Sequence, residues 1–191
     1  SVFVNWGNGP IGDGRNDDLS EYQMTPSIYI QNPWFAQNYY VNDSEKERFI
    51  GSINMRWDLT DWLYARARVG ADRYDLHRTQ SEPFGTGYKP KGGINHYKLA
   101  FKQFDSDFFL GTDNLSLTDD VALTAFVGVG SNVQEAESVS INGNDFIVPG
   151  LVSINNVANK SAGYGYSKKQ INSAYGSAEL GFQDYAFLTV T

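Results

Sequence analysis

The stretch RFIGSINMRWDLTDWLYARARVG, Arg48 to Gly70, constrains the fold more than any other. Its first half alternates strictly. Phe49, Gly51, Ile53, Met55, Trp57 and Leu59 fall on one face, with Ser52, Asn54, Arg56 and Asp58 on the other. Thr60 and Asp61 interrupt the run. A second alternation then sets Leu63, Ala65, Ala67, Val69 and Ala71 opposite Arg66, Arg68 and Asp72. A period of two belongs to strands and not to helices. Two such strands joined by a two-residue break form an antiparallel hairpin with one apolar and one charged face. The apolar face needs a protein core or lipid, and the alternation alone suits both.

Composition narrows the choice of medium. No segment approaches the roughly 18 consecutive apolar residues of a helical span, and the mean hydropathy is -0.42. Barrel strands hide their apolar signal by alternating it with polar residues, so a transmembrane barrel stays open. Aromatic residues make up 15 % of the 191 residues, with 12 Tyr, 12 Phe and 4 Trp. There is no cysteine, hence no disulfide framework or thiolate metal site. A net charge of -7 argues against nucleic acid and anionic membrane surfaces as partners. Ser1 in place of a Met, the lack of a signal-peptide pattern and the strand-like YAFLTVT at the other end lead us to expect a fragment.

Along the chain, strands are expected at Pro26–Ile30, at about 46–59 and 62–75, at about 107–117 and at 121–130. The stretch QNPWFAQNYYVNDSEKE reads as a loop, as do TQSEPFGTGYKPKGG and about 151–166. Asn142-Gly143, flanked by apolar residues, is a hairpin signal. Alternation resumes with Ala174, Gly176, Ala178, Leu180 and Phe182, and Gln183-Asp184 reads as another short turn. Short turns at Thr60-Asp61, Thr118–Asp120 and Gln183-Asp184 contrast with long polar connections. That asymmetry is the layout of an outer-membrane barrel. A soluble up-and-down barrel shares it. Aromatics beside the short turns, Trp57, Trp62, Tyr64, Phe182, Tyr185 and Phe187, suit a girdle at a membrane interface.

Four stretches carry a family resemblance: NPWFAQN, NDSEKERFIGSINMRWDLTDWLYARARVGADRYD, FIVPGLVSINN and INSAYGSAELGFQDYAFLTVT. Together they resemble the SusC/RagA family of TonB-dependent outer-membrane transporters of Bacteroidetes, over residues 32–191 with a looser middle third. The resemblance implies an all-β chain whose antiparallel strands form part of a large transmembrane barrel of about 22 strands, with long extracellular loops and short periplasmic turns. Residues 1–191 are then one partial barrel domain, without the plug, the TonB-contacting segment or the C-terminal strands. At about ten residues per spanning strand we expect about seven or eight strands. An open sheet in lipid leaves unpaired edges, so its edges must pair with the rest of the same polypeptide.

The function so implied is import of oligosaccharides or peptides across the outer membrane of a Gram-negative, Bacteroidetes-like cell. Its partners are a SusD-like lipoprotein lid, TonB acting through the missing plug, outer-membrane lipid and a glycan or peptide substrate. Alternatives are a soluble β-barrel or sandwich that binds carbohydrate, and a passive porin-like envelope protein.

Arg66, Arg68 and Asp72 form a charged row opposite the apolar face, a candidate lumen lining. Trp34, Phe35, Tyr39, Tyr40, Phe84 and Tyr88 are loop aromatics that can stack on sugars or grip a lid. Packing between loops is the plainer role for them. GNGPIG, Gly7–Gly12, fits a dinucleotide fingerprint only if a helix follows, and a loop sequence follows instead. DGRNDD, Asp13–Asp18, lacks the spacing of a cation loop and reads as a solvated acidic loop. His77 and His96 sit in no metal or nucleophile motif. No catalytic set, cofactor or metal is expected, and the chain is read as no enzyme.

Overall fold

The computed structural model describes residues 12–183 and 185–191. A short helix, α1 (Pro33–Tyr39), precedes six strands: β1 (Val41–Asp58), β2 (Leu63–Glu82), β3 (Gly93–Thr118), β4 (Val121–Phe146), β5 (Val157–Phe182) and β6 (Ala186–Val190). They form one antiparallel sheet in sequence order, with β1 and β6 at its edges and no closure into a barrel. The expected all-β, barrel-like architecture is present.

Six strands stand where seven or eight were expected, because the strands are longer than a bilayer requires. β3, β4 and β5 each have 26 residues, against the roughly 9–11 that cross a membrane. Asn142-Gly143 is not a turn. Gly143 lies inside β4, where a Cβ would come within 2.8 Å of Val157 and Ile154, so its glycine serves close packing. Residues 157–166, read as loop, belong to β5. Pro26–Ile30 is no strand either. It bends, with Ile30 N donating to Ser27 O at 3.2 Å, and Tyr29 is exposed. Its consecutive apolar residues offer no alternating face to pair.

The chain divides into two compact units. Among the described residues, the first holds 12–47, 75–99 and 137–165, the loop-rich half of the sequence. Its small core is Ile94, Phe146 and Val157, with Phe84 and Ile154 packed against them. The stretch read as a loop between 31 and 47 contains α1. Asn32 caps it by accepting from Trp34 N at 3.0 Å, and Pro33 opens it at a position where the missing N–H costs nothing. Phe35 seals the helix underside, fully buried.

Glu21 ties this layer together. Its buried carboxylate accepts from Asn32 N at 2.5 Å and from Gly87 N at 2.9 Å, joining the helix cap to the 83–92 loop. Gly85 lies against the same segment at φ +92, where a Cβ would meet Leu19 O at 2.1 Å. Asn156 organises the VPGL loop: its amide donates to Val148 O and Leu151 O and accepts from Val148 N.

The second unit holds 48–74, 100–136 and the described part of 166–191. It contains the short turns. At the first, Leu59 N and Thr60 N donate to Leu63 O, and the Thr60 hydroxyl accepts from Leu63 N at 3.0 Å. Asp119 and Asp120 form the second. At the third, Gln183 N donates to Asp120 O; Asp184 lies outside the described residues.

Candidate functional site

In the second unit the pleat sorts side chains onto two unlike faces. One is apolar and open. Phe49, Ile53, Val127, Val129, Leu188 and Val190 on it are each more than half exposed. The odd-numbered residues 63–71 lie on this face, opposite the ion-paired side of β2; Val69 is exposed, whereas Ala65 is buried and Leu63, Ala67 and Ala71 are half-buried. On β1, β2, β4 and β5 its apolar stretch runs for about 9–11 residues, the length of a membrane-spanning strand.

The other face is a ladder of charge and hydrogen bonds. Arg48 pairs with Asp72 at 2.6 Å, joining β1 to β2. Arg56 reaches Asp113 at 2.6 Å and Asp58 at 2.8 Å, and its guanidinium lies 4.1 Å over the Tyr64 ring. Arg68 pairs with Asp107 at 2.6 Å, and Tyr175 from β5 donates to the other Asp107 oxygen at 3.1 Å. Asp105 accepts from Gln103 and Asn132, and Gln134 donates on to Gln103. Beside this ladder Phe109, Phe126 and Tyr175 form a trio of rings with centroids 5.3–6.4 Å apart. Tyr74 stacks on Phe101 at 5.0 Å.

Of the three residues expected on the charged row, Arg68 and Asp72 are members of the ladder, and Arg66 shares their face of β2 and is exposed. The expected aromatic girdle divides. Trp57, Trp62, Phe182 and Tyr185 are exposed near the turns, with Phe182 and Tyr185 edge to face at 5.7 Å. Tyr64 and Phe187 fall on the polar face: Tyr64 lies under Arg56, and Phe187 stands opposite Gly181 and covers it. Strand parity decides this, and closeness to a turn does not.

In the first unit the loop aromatics have separate tasks. Trp34 is exposed on α1, whereas Phe35 is buried and offers no surface to a ligand. Tyr39 donates its hydroxyl to Asp13, and Arg15 lies 4.5 Å over its ring. That hydrogen bond holds the Asp13 carboxyl below its ordinary value. Phe84 packs into the small core. Tyr40 hydrogen-bonds Gln31 and meets Thr86 and Tyr88 near the hydrogen-bond limit.

Tyr88 donates to Glu82 at 2.5 Å, and Lys89 binds the second Glu82 oxygen at 2.5 Å. Burial pushes the Glu82 carboxyl up, but the hydrogen bonds from Lys89 and Tyr88 outweigh it and the net direction is down. The Tyr88 phenol is pushed well up, first by burial and then by its bond to Glu82. Beside this group opens a cleft of about 510 Å³, walled by Asn42, Gln80, Asn95, Asn142 and Asn144. The amides pair across strands: Gln80 donates to Asn42 at 3.3 Å, and Asn95 donates to Asn142.

The ladder carboxylates Asp105, Asp107 and Asp113 and the cleft amides are absent from the residues singled out by sequence. A signal existed for the first set. Asp105 and Asp107 alternate with Phe104, Phe108 and Leu110, the same period of two as the opening hairpin. The acidic DGRNDD loop is bound up locally: Asp13 accepts from Arg15 N, and Asp18 from the Ser20 backbone and hydroxyl. His96 Nδ1 lies 3.0 Å from Thr79 Oγ1, within the strand pairing of β2 and β3. Gly7–Ile11 of the Gly-rich stretch lie outside the described residues.

No protein-family model matches the sequence, and no curated protein is similar to it. Solved structures are similar in fold. The RagAB peptide transporter superposes with a TM-score of 0.74 at 14 % identity, covering 84 % of this chain and 18 % of that one. The RagAB peptide importer in its 'closed-closed' state gives 0.67 at 15 % identity, over 88 % of this chain and 19 % of that one. Its 'open-open' state gives 0.63 at 15 %, over 84 % and 18 %. The chain thus spans less than a fifth of the length of the proteins it superposes on. The likeness to the SusC/RagA family read from the sequence is matched in the fold: this chain has the architecture of part of a RagAB-type transporter.

Proposed function

We propose that this chain is wall and extracellular loop of a SusC-like, TonB-dependent outer-membrane importer of oligosaccharides or peptides. The observation that carries the proposal is the two-faced sheet of the second unit. A soluble monomer rarely leaves a contiguous apolar patch of more than a few hundred Å² in water. Here each of the six strands exposes at least one apolar side chain on the same side, Val69 on β2, while Arg–Asp pairs occupy the opposite face. Lipid on one side and a watery lumen on the other satisfy both.

In this role the chain does no covalent chemistry. The ladder of Arg48, Arg56, Arg68 and their aspartates lines the route, and the first unit meets substrate and a SusD-like lipoprotein lid. The rest of the barrel pairs with the exposed edges of β1 and β6. A plug elsewhere in the polypeptide takes the pull of TonB. The fold likeness to RagAB supports the transporter context.

The test uses the absence of cysteine from residues 1–191, with any cysteine elsewhere in the polypeptide first replaced by serine. Single cysteines at each position from Val121 to Gly130 are spin-labelled in the membrane-embedded, full-length polypeptide. Oxygen accessibility should peak at 121, 123, 125, 127 and 129, and that of a water-soluble nickel complex at the alternate positions. Equal accessibility at both sets, or recovery of the protein in buffer without detergent, sinks the proposal.

A further inference from the structure

We propose that the amide-walled cleft of the first unit binds a neutral oligosaccharide. This rests on the importer assignment above and names the class of its substrate. The cleft's volume of about 510 Å³ lies among those of small-molecule sites. Five of its thirteen lining residues are primary amides, Asn42, Gln80, Asn95, Asn142 and Asn144. Each carries a carbonyl oxygen and an NH₂ group side by side, so each offers acceptance and donation at neighbouring points.

The cross-strand bonds orient these groups. Gln80 gives one N–H to Asn42, and Asn95 gives one to Asn142. Each tie uses one donor of one amide and one lone pair of the other. The remaining donors and acceptors are left in fixed relative positions. Adjacent sugar hydroxyls, which both donate and accept, are complementary to such a row.

Charge disfavours ionic ligands. The cleft holds one carboxylate and one ammonium, Glu82 and Lys89, and they neutralise each other at 2.5 Å. The Tyr88 hydroxyl takes up further acceptor capacity of Glu82. An ionic ligand would lose its hydration here without gaining a free counter-charge. The floor is backbone at Gly93 and Gly143. A Cβ on Gly93 would stand 2.6 Å from Lys89 Nζ and 2.8 Å from Gly143 O. An extended peptide places a side chain on a given face at every second residue. Against it the cleft offers only Val41 and Ile94 as aliphatic lining, and the Tyr40 ring stands edge-on to Phe35. A polyhydroxylated, uncharged chain fits these walls better than a peptide.

The experiment uses the full-length polypeptide purified in detergent with its native subunits. Maltohexaose, cellohexaose, mannohexaose and xylohexaose are titrated calorimetrically, beside hexagalacturonate and a mixed hexapeptide library. At least one neutral hexasaccharide should bind, hexagalacturonate should not, and Asn95→Ala/Asn142→Ala should weaken binding at least tenfold. Gln80→Leu attacks the second amide pair and serves if the double variant does not fold, as judged by heat-dependent gel mobility. Binding of peptides or hexagalacturonate alone, no binding of any neutral hexasaccharide, or unchanged affinity in folded variants overturns the proposal. A membrane-resident protein that binds only peptides overturns the glycan and leaves the importer standing. Recovery in the soluble fraction overturns the importer whatever binds.

Discussion

Replacing Glu21 by Gln tests whether one carboxylate holds the loop layer of the first unit. The change keeps the shape of the side chain but turns one acceptor into an NH₂ donor. That group then faces either Asn32 N or Gly87 N, both of which donate to Glu21 in the native protein. With the site buried, water cannot replace the lost partner. An unsatisfied buried N–H costs about 1–3 kcal/mol, which corresponds to about 5- to 150-fold in a local opening equilibrium. Hydrogen–deuterium exchange of the full-length protein in detergent reads this directly. Amides of α1 and of the 83–92 loop should exchange faster by that factor, while strand amides of the second unit keep their native rates. Glu21→Ala loses both acceptors and should exceed the Gln variant. Unchanged exchange in Glu21→Gln, or equal acceleration throughout the strands, would refute the keystone role.

Four further outcomes are expected. Because Glu82 has a lowered folded-state pKa, its ties to Lys89 and Tyr88 contribute stability above its ordinary titration range and lose it as pH falls through the folded value. Proteolysis of the 83–92 loop should therefore be flat from slightly alkaline pH down to about pH 6 and rise as the pH falls below that through the folded value. Gly85→Ala forces a Cβ to 2.1 Å from Leu19 O at a positive φ, so the loop should detach and tryptic cleavage at Arg15 or Lys91 accelerate. Val127→Arg places a charge on the open apolar face at a cost of about 2–4 kcal/mol near a bilayer midplane; the yield of heat-modifiable folded protein should drop, and no drop would count against lipid there. Arg68→Ala removes the half-exposed partner of Asp107, whose own side chain is only 15 % exposed and keeps the Tyr175 hydrogen bond, so it should lower the folding yield more than Arg48→Ala, whose partner Asp72 is 21 % exposed.

The sequence disclosed the alternating strands and missed how far they run. Arg48 to Gly70 carried its own evidence, since every second residue changes chemistry. β3 and β4 were harder because their upper stretches, such as NHYKLAFKQF, mix charged and aromatic residues on both faces. A segment with polar side chains on both faces gives no period to detect. Asn142-Gly143 shows the limit of local turn chemistry: the pair satisfies a hairpin rule, yet Val157 and Ile154 packing on Gly143 overrides it. α1 was legible in principle. Asn32 followed by Pro33 is a cap and a first-turn proline, but seven residues are too few to show an apolar period beside them. The cleft could not be found by any motif, because its five amides come from four different strands.

The length of β3, β4 and β5 has a structural consequence. About 9–11 residues satisfy a bilayer, and these strands have 26. In the proposed importer the remaining residues answer to no lipid and to no apolar-outside constraint. In the proposed barrel wall such a strand is two elements in one piece of chain: one segment whose alternation answers to the medium, and a continuation that is free of that demand.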